Sequence, residues 1–398
     1  MREKSIFQKI DAFTDSHEGK RMGLYPYFRQ IISATDTEIS LKTGQRVLML
    51  GSNSYMGLTN HPEVKEAAIK AIEKYGTGCA GSRFLNGTLD IHEELEAELA
   101  GWVGKDSALL YSTGFQVNQG VMATLMERHG HIILDSRNHA SIVDGARLSM
   151  ANIARYPHND MDSLHKVLSR IPENKSKLLV ADGVFSMEGD IVKLPELVEL
   201  AEEFNVVVMI DDAHALGVLG KDGSGTASHF GLTDRVDLIM GTFSKSLASV
   251  GGFIASDGQT IEFLKHHSRA LIFSASMPPA SVASVLAALR VIKREPERID
   301  GLWKNTGMMR TGLKSLGFDT GLSETPIIPV HVGQIMTLLA MCKKLEEENI
   351  FVNPVIPPAV PPNDCLLRIS LMATHTESQI DFALQKMEKV GRELLVIS

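Results

Sequence analysis

Val236-Asp237-Leu238-Ile239-Met240-Gly241-Thr242-Phe243-Ser244-Lys245-Ser246-Leu247 joins an apolar run to a lysine set among small hydroxyl residues. A buried run of about five residues reads as a strand of a parallel sheet, and chemistry in such sheets collects just beyond the carboxyl ends of strands. Lys245 stands at such an end. A lysine amine there is a candidate for an imine to an aldehyde cofactor, exchangeable for a substrate amine. Thr242 and Ser244 then become candidate phosphate donors, and a solvated lysine after a strand is the alternative reading.

A second strand end stands upstream. Asn205-Val206-Val207-Val208-Met209-Ile210-Asp211-Asp212-Ala213-His214 places Asp211 34 residues before the lysine (245 minus 211). Pyridoxal phosphate asks a protein for an imine lysine, a carboxylate that keeps the pyridine nitrogen protonated, and donors for the phosphate. Asp211 can be that carboxylate, and His214 can bond the phenolic oxygen of the ring. A turn-forming aspartate and a helix-start histidine are the structural alternatives.

Other short apolar runs alternate with helical patterns: Ala108–Tyr111, His131–Asp135 and Lys177–Asp182, with Gly251–Ala255 after the lysine. That alternation predicts an α/β protein whose parallel sheet carries helices on both faces. Asp135 and Asp182 also end runs, and turn roles are expected for them. Ser112-Thr113-Gly114-Phe115 lies between a strand and a helix, so the Gly114 and Phe115 amides can face an anion with the helix dipole behind them. A plain strand-helix turn needing a flexible glycine remains the alternative.

Asp211-Asp212-Ala213-His214, Gly241–Lys245, Ser112–Phe115, His139-Ala140-Ser141 and Asp182–Asp190 together resemble the α-oxoamine synthase family, over about residues 25 to 390. The resemblance implies a fold-type-I transferase dependent on pyridoxal 5'-phosphate (PLP), which joins an amino acid to an acyl-CoA with loss of carbon dioxide. Tyr75–Thr88 and Leu371–Thr376 resemble the bacterial members that use L-serine and a long-chain acyl-CoA, palmitoyl-CoA in type, to make 3-ketosphinganine. It further implies that His139 stacks on the ring and meets the substrate carboxylate, that Ser186 contacts the cofactor, and that Asn53 belongs to the substrate site. Ser274 and Ala275 are expected against the phosphate of the other subunit, in a homodimer with shared active sites. Arg368 alternates with Leu367 and Ile369, so its side chain is expected to leave the apolar face; the resemblance gives it the amino-acid carboxylate, through two parallel charge-assisted bonds. Arg29 is a candidate assistant. An aminotransferase, a glycine C-acetyltransferase and an 8-amino-7-oxononanoate synthase are the rival activities.

The resemblance and the chain's patterning suggest an arm over residues 1–50, a large cofactor-binding domain over 51–285 and a smaller α+β domain over 286–398. In the arm, Phe7, Ile10 and Phe13 are spaced for one helical face, and Glu38–Leu41 with Arg46–Leu50 around Thr43-Gly44 reads as a hairpin. Gly76-Thr77-Gly78-Cys79-Ala80-Gly81 matches a dinucleotide fingerprint, but a helical pattern precedes it where that fingerprint needs a strand. The dinucleotide reading is therefore rejected.

Bulk properties agree with an enzyme of small molecules. At 398 residues, 44% hydrophobic and 22% charged, the chain can bury a large core. A formal charge of −8 without a basic block argues against nucleic acid. Three cysteines, Cys79, Cys342 and Cys365, lack metal-ligand spacing and leave an odd thiol, so a reducing cytoplasm is expected and no metal. Neither a signal peptide nor a membrane-spanning run is evident, so a lipid product implies peripheral contact at the inner face of the membrane.

Overall fold

The computed structural model describes residues 4–398, so the first three residues of the expected arm lie outside the described residues. Two short helices, Ser5–Asp11 and Asp15–Met22, open the chain. The first ends before Phe13, so Phe7 and Ile10 share a helix that Phe13 does not join. The hairpin forms as expected, with β1 (Glu38–Ser40) antiparallel to β2 (Arg46–Met49) and Ile39 opposite Val47.

Seven strands make the central sheet: β3 (Ser107–Tyr111), β4 (His131–Asp135), β5 (Asn152–Tyr156), β6 (Lys177–Asp182), β7 (Val207–Asp211), β8 (Leu238–Thr242) and β9 (Gly252–Ser256). Their order is β3-β9-β8-β7-β6-β4-β5, parallel except for β9, which runs antiparallel to both neighbours. Helices cover both faces, so β6 and β8 are buried along their whole length and read as apolar runs rather than alternations. Only β5 escaped the sequence reading. It is one of the two edge strands, largely exposed, and carries no apolar run to announce it. The glycine-rich segment follows the helix Pro62–Tyr75, in agreement with the rejected dinucleotide reading. A Cβ on Gly81 would collide with the Asn86 side chain, so close packing is what this glycine serves.

Register decides where the site forms. Asp182 pairs with Asp211, and Asp211 with Met240, so the carboxyl ends of β6, β7 and β8 finish side by side.

The helix Pro279–Arg294 runs through the expected boundary at 285 and packs on the Pro62–Tyr75 and Asp90–Val103 helices. Beyond it come the helix Glu297–Ser315, β10 (Ile327–Gly333), the helix Ile335–Glu347, β11 (Ile350–Phe351), β12 (Asn353–Val355), β13 (Cys365–Ser370) and the helix Glu377–Glu393. The sheet β10-β13-β12 is antiparallel, whereas β11 pairs in parallel with β2 of the arm. Arg29 tightens that union: it bonds Glu346 and the Val352 carbonyl, both at 2.7 Å, and lies over the Phe351 ring. Its guanidinium is thus spent on holding the arm at Glu346 and Val352 rather than beside Arg368, contrary to the assistant's role suggested for it. Among the described residues no helix is long and apolar enough to cross a membrane.

Candidate active site

A cavity of about 330 Å³ opens at the adjoining ends of β6, β7 and β8. Lys245, Asp211, His139 and His214 line it, together with Gly114, Phe115, Thr242 and Ser244. Eight sequence candidates therefore meet in one place.

Asp211 is buried and doubly held. Its Oδ1 accepts from the Ala213 amide at 3.0 Å and its Oδ2 from Asn118 Nδ2 at 2.8 Å. Asn118 also donates to Ser141 Oγ at 2.8 Å, and Ser141 sits 2.8 Å from His139 Nδ1. Because the Ser141 amide donates to that same Nδ1, a neutral His139 carries its proton on Nε2. Burial lowers the His139 pKa, with Asp211 opposing and Lys245 assisting. Its backbone amide donates to Asp182 Oδ2 at 2.9 Å. Asp182 is therefore more than the turn residue expected: it is a buried wall of the cavity, and burial, with Asp211 beside it, pushes its carboxyl well up.

His214 bonds Tyr55 Oη through Nδ1 at 2.7 Å. Burial and the nearby cations Lys245 and Arg368 hold its pKa well below the ordinary histidine value, so the ring is neutral. Lys245 is reached from the cavity yet ringed by protein, and loss of solvation pulls its ammonium down to about 7 against the opposing pull of Asp211. An amine of that kind is partly unprotonated near neutral pH, the form that attacks a carbonyl.

The phosphate side is a helix start. Thr113 caps the Gly114–Leu125 helix, its side chain accepting from the Gln116 amide at 3.2 Å. A Cβ on residue 114 would lie 2.7 Å from Thr242 Oγ1, so only glycine lets the turn approach the Thr242 side chain at the end of β8. Thr242 Oγ1 stands 3.2 Å from Ser244 Oγ, which places two hydroxyls beside the helix amides. An unhindered helix start with hydroxyls, a depressed amine and an anchored carboxylate around one cavity is a donor set that fits PLP.

Arg368, Asn53 and Ser186 come together beside this cavity. Arg368 is 6% exposed, not an outward-facing strand residue. Its Nε donates to the Ser186 carbonyl at 2.6 Å, its Nη1 to Asn53 Oδ1 at 2.9 Å and Ser370 Oγ at 2.8 Å, and its Nη2 to Tyr55 Oη at 3.5 Å. Four of the five guanidinium hydrogens are engaged, so the fork cannot meet a carboxylate whole, as the sequence reading expected. Ser186 participates through its carbonyl. Ser274 and Ala275 do not line the Lys245 cavity of their own chain: Ser274 Oγ accepts from Gln116 Nε2 at 3.1 Å and the Ala275 carbonyl from Ser112 Oγ at 2.5 Å.

Sequence reasoning missed Tyr55, Asn118, Ser141 and Asp182 as site residues. Asn118 was findable, since it lies one helical turn after Gly114 and so shares its face. Tyr55 gave no such signal; its partner His214 is 159 residues away.

Residues 45–387 match the family model described as aminotransferase class I and II. The serine palmitoyltransferase of Sphingobacterium spiritivorum is 55% identical, over 99% of this chain and 98% of that one. The 8-amino-7-oxononanoate synthase of Thermoanaerobacter pseudethanolicus is 43% identical, over 96% of each. A solved serine palmitoyltransferase from S. paucimobilis, with a bound PLP–myriocin aldimine, superposes with a TM-score of 0.95 at 35% identity, covering 100% of both chains. Cavity chemistry and likeness agree: the chain belongs to the class I and II aminotransferase family, in its α-oxoamine synthase branch, with PLP as its cofactor.

Proposed function

We propose that this protein condenses L-serine with a long-chain acyl-CoA, palmitoyl-CoA in type, releasing CoA and carbon dioxide and forming 3-ketosphinganine. The observation that carries the reading is a depressed lysine and an anchored aspartate in one cavity, bordered by a buried arginine with one Nη2 hydrogen left for an amino-acid carboxylate. Greater identity to serine palmitoyltransferases than to 8-amino-7-oxononanoate synthases supports serine as the amino acid.

When bound, PLP supplies an aldehyde that takes up an amino group and a ring that draws off the electron pair left at the α-carbon. Lys245 would hold the cofactor through Nζ, and the same amine, once free, is placed to take the α-proton of serine. Asp211, fixed by Asn118 and Ala213, would keep a proton on the ring nitrogen; His214, neutral and held by Tyr55, would serve the phenolic oxygen. Gly114, Phe115, Thr242 and Ser244 would bind the phosphate. His139 orients the serine carboxylate through Nε2, and the remaining Nη2 hydrogen of Arg368 pairs with it while Asn53 steadies the guanidinium. The net change would join the serine α-carbon to the thioester carbonyl as the carbon–sulfur bond and the bond to the carboxylate break, releasing CoA and carbon dioxide, and Lys245 is placed to return a proton to the α-carbon.

The same reading makes the protein a homodimer whose Ser274 and Ala275 serve the partner's phosphate site. It includes a cytoplasmic location with peripheral membrane contact for the lipid product, and domain boundaries near residues 50 and 285. Mixing Lys245→Ala with Ser274→Asp subunits should restore activity in hybrid dimers, because one site then has both intact residues; no recovery would remove the shared site. Crossing serine, glycine and alanine with short and long acyl-CoAs tests the activity itself. Serine with palmitoyl-CoA should release thiol fastest. Preference for alanine or glycine would install a rival synthase, and amino transfer without thiol release would install an aminotransferase.

A further inference from the structure

His158 lies outside the cavity, at the far side of the segment that carries Ser186. Its Nδ1 is 3.0 Å from Asp135 Oδ1 and its Nε2 is 2.9 Å from Asp190 Oδ2. The Asp135 side chain is fully buried, and that of Asp190 is 12% exposed. Ionised carboxylates only accept hydrogen bonds, so both ring nitrogens must donate and the ring is an imidazolium. Burial opposes the charge, but the two carboxylates outweigh it and raise the group to about 10. The ring also stands edge-on to Phe185, with centroids 4.3 Å apart.

Asp135 belongs to β4, whereas Asp190 closes the turn 183–191, where the Phe185 amide donates to the Asp190 carbonyl at 3.1 Å. Asn159 donates to Asp190 as well, at 3.0 Å, and Arg137 pairs with Glu188 at 3.2 Å. One flank of this turn is thus riveted to the sheet by charge. Its other flank is the Ser186 carbonyl, which accepts from Arg368 Nε at 2.6 Å.

We propose that His158 is a positioning residue for the amino-acid carboxylate: bridging Asp135 and Asp190, it fixes the 183–191 turn so that the Ser186 carbonyl aims the Arg368 guanidinium. This rests on the reading of Arg368 as the carboxylate's partner. A turn freed from Asp190 would let the Ser186 carbonyl drift, and the guanidinium would lose the bond that sets its plane. Binding of the amino acid should suffer. Chemistry at Lys245 and binding of the acyl-CoA should not.

The test uses the PLP-loaded enzyme and L-serine. Asp190→Asn keeps the shape of the clamp and removes its charge; His158→Gln removes the cation. Each should raise the L-serine dissociation constant, read from the change in visible absorption, by roughly ten-fold, within the ~10²-fold that misplacing a reactive group costs. The double variant should be little worse than either single one, because both break one device. The KM for palmitoyl-CoA and kcat at saturating serine should stay near wild type, and amides of residues 184–188 should exchange hydrogen faster. Wild-type serine binding in both single variants, full additivity, or an equal rise in both KM values would overturn the proposal. Arg368→Lys separates the premise: if it leaves serine binding unchanged, the carboxylate assignment fails and the proposal goes with it. If only Arg368→Lys weakens serine, the clamp alone is wrong.

Discussion

Lys245, Asp211 and Asp182 stand at the ends of three neighbouring strands, and the hydrogen-bonded register of one sheet brings them together. Arg368 meets Asn53, Tyr55 and Ser186 only where the segment after the arm, the large sheet and the small sheet converge. The first region is rigid by construction, because shifting any member would break a ladder buried on both faces. The second depends on side-chain bonds across separate parts of the chain, so it can loosen without unfolding the sheet. The difference assigns bond-making to the strand ends and substrate-holding to the junction.

The sharpest break in that division is Lys245→Ala. Turnover should fall by about 10⁴-fold or more while circular dichroism stays native, since the strand-end loop tolerates a small side chain. Retained turnover would end the assignment. In the unsubstituted apoprotein, PLP capture should speed up as pH rises through about 7 and then level, because the unprotonated amine is the reactive form. A rise continuing to pH 10 would show an unperturbed lysine.

At the junction, Arg368→Ala should weaken serine binding by about 2 to 5 kcal/mol, as expected for truncating one member of a buried charge pair. PLP binding should hold, and unchanged serine affinity would move the carboxylate site elsewhere.

Acid should loosen the ties of the arm through His375, whose Nδ1 accepts from the Met372 amide and whose Nε2 faces the Met49 carbonyl of β2. Burial lowers this imidazole to about 4. The folded value lies below the unfolded one of about 6.5, so its contribution is complete above that pH and is lost as pH falls towards 4, by up to about 3 kcal/mol. Urea unfolding at pH 7 and pH 4.5 should show the loss, and His375→Gln should abolish this part of it. Equal pH dependence in both proteins would contradict the assignment.

The smallest effect belongs to Asn118→Ala, which removes one bond to Asp211 and one to Ser141 while leaving both residues in place. Exchange of the serine α-proton, measured without acyl-CoA, should slow by about ten-fold, the ~1.4 kcal/mol of one charge-assisted bond. A wild-type rate would mean that Ala213 alone holds the carboxylate.

Strand ends were legible because a buried parallel strand is written as a continuous apolar run, and the residue after it is where polar chemistry must sit. Asp211, Lys245 and the Gly114 turn were all found in this way. Distinguishing Asp211 from Asp135 and Asp182, which end similar runs, needed the family resemblance. Arg368 illustrates the limit: alternation along β13 suggested an outward side chain, yet packing against Ser186 and Asn53 buries it. Arg29 misled for a related reason, since no local pattern tells which distant carboxylate, here Glu346, will claim a free guanidinium.

By itself the chain's order of residues determined the α/β alternation, the hairpin around Gly44, the helix start at Gly114 and the placing of Lys245 beyond its strand, because each follows from contacts within a few residues. Only the tertiary structure decided that Asp182 is a cavity wall, that Tyr55 holds His214, that the arm joins β11, and that His158 lies between two carboxylates. Those outcomes depend on which segments lose water together. A side chain's charge, partner and exposure are set by that shared burial, and no window along the sequence contains it.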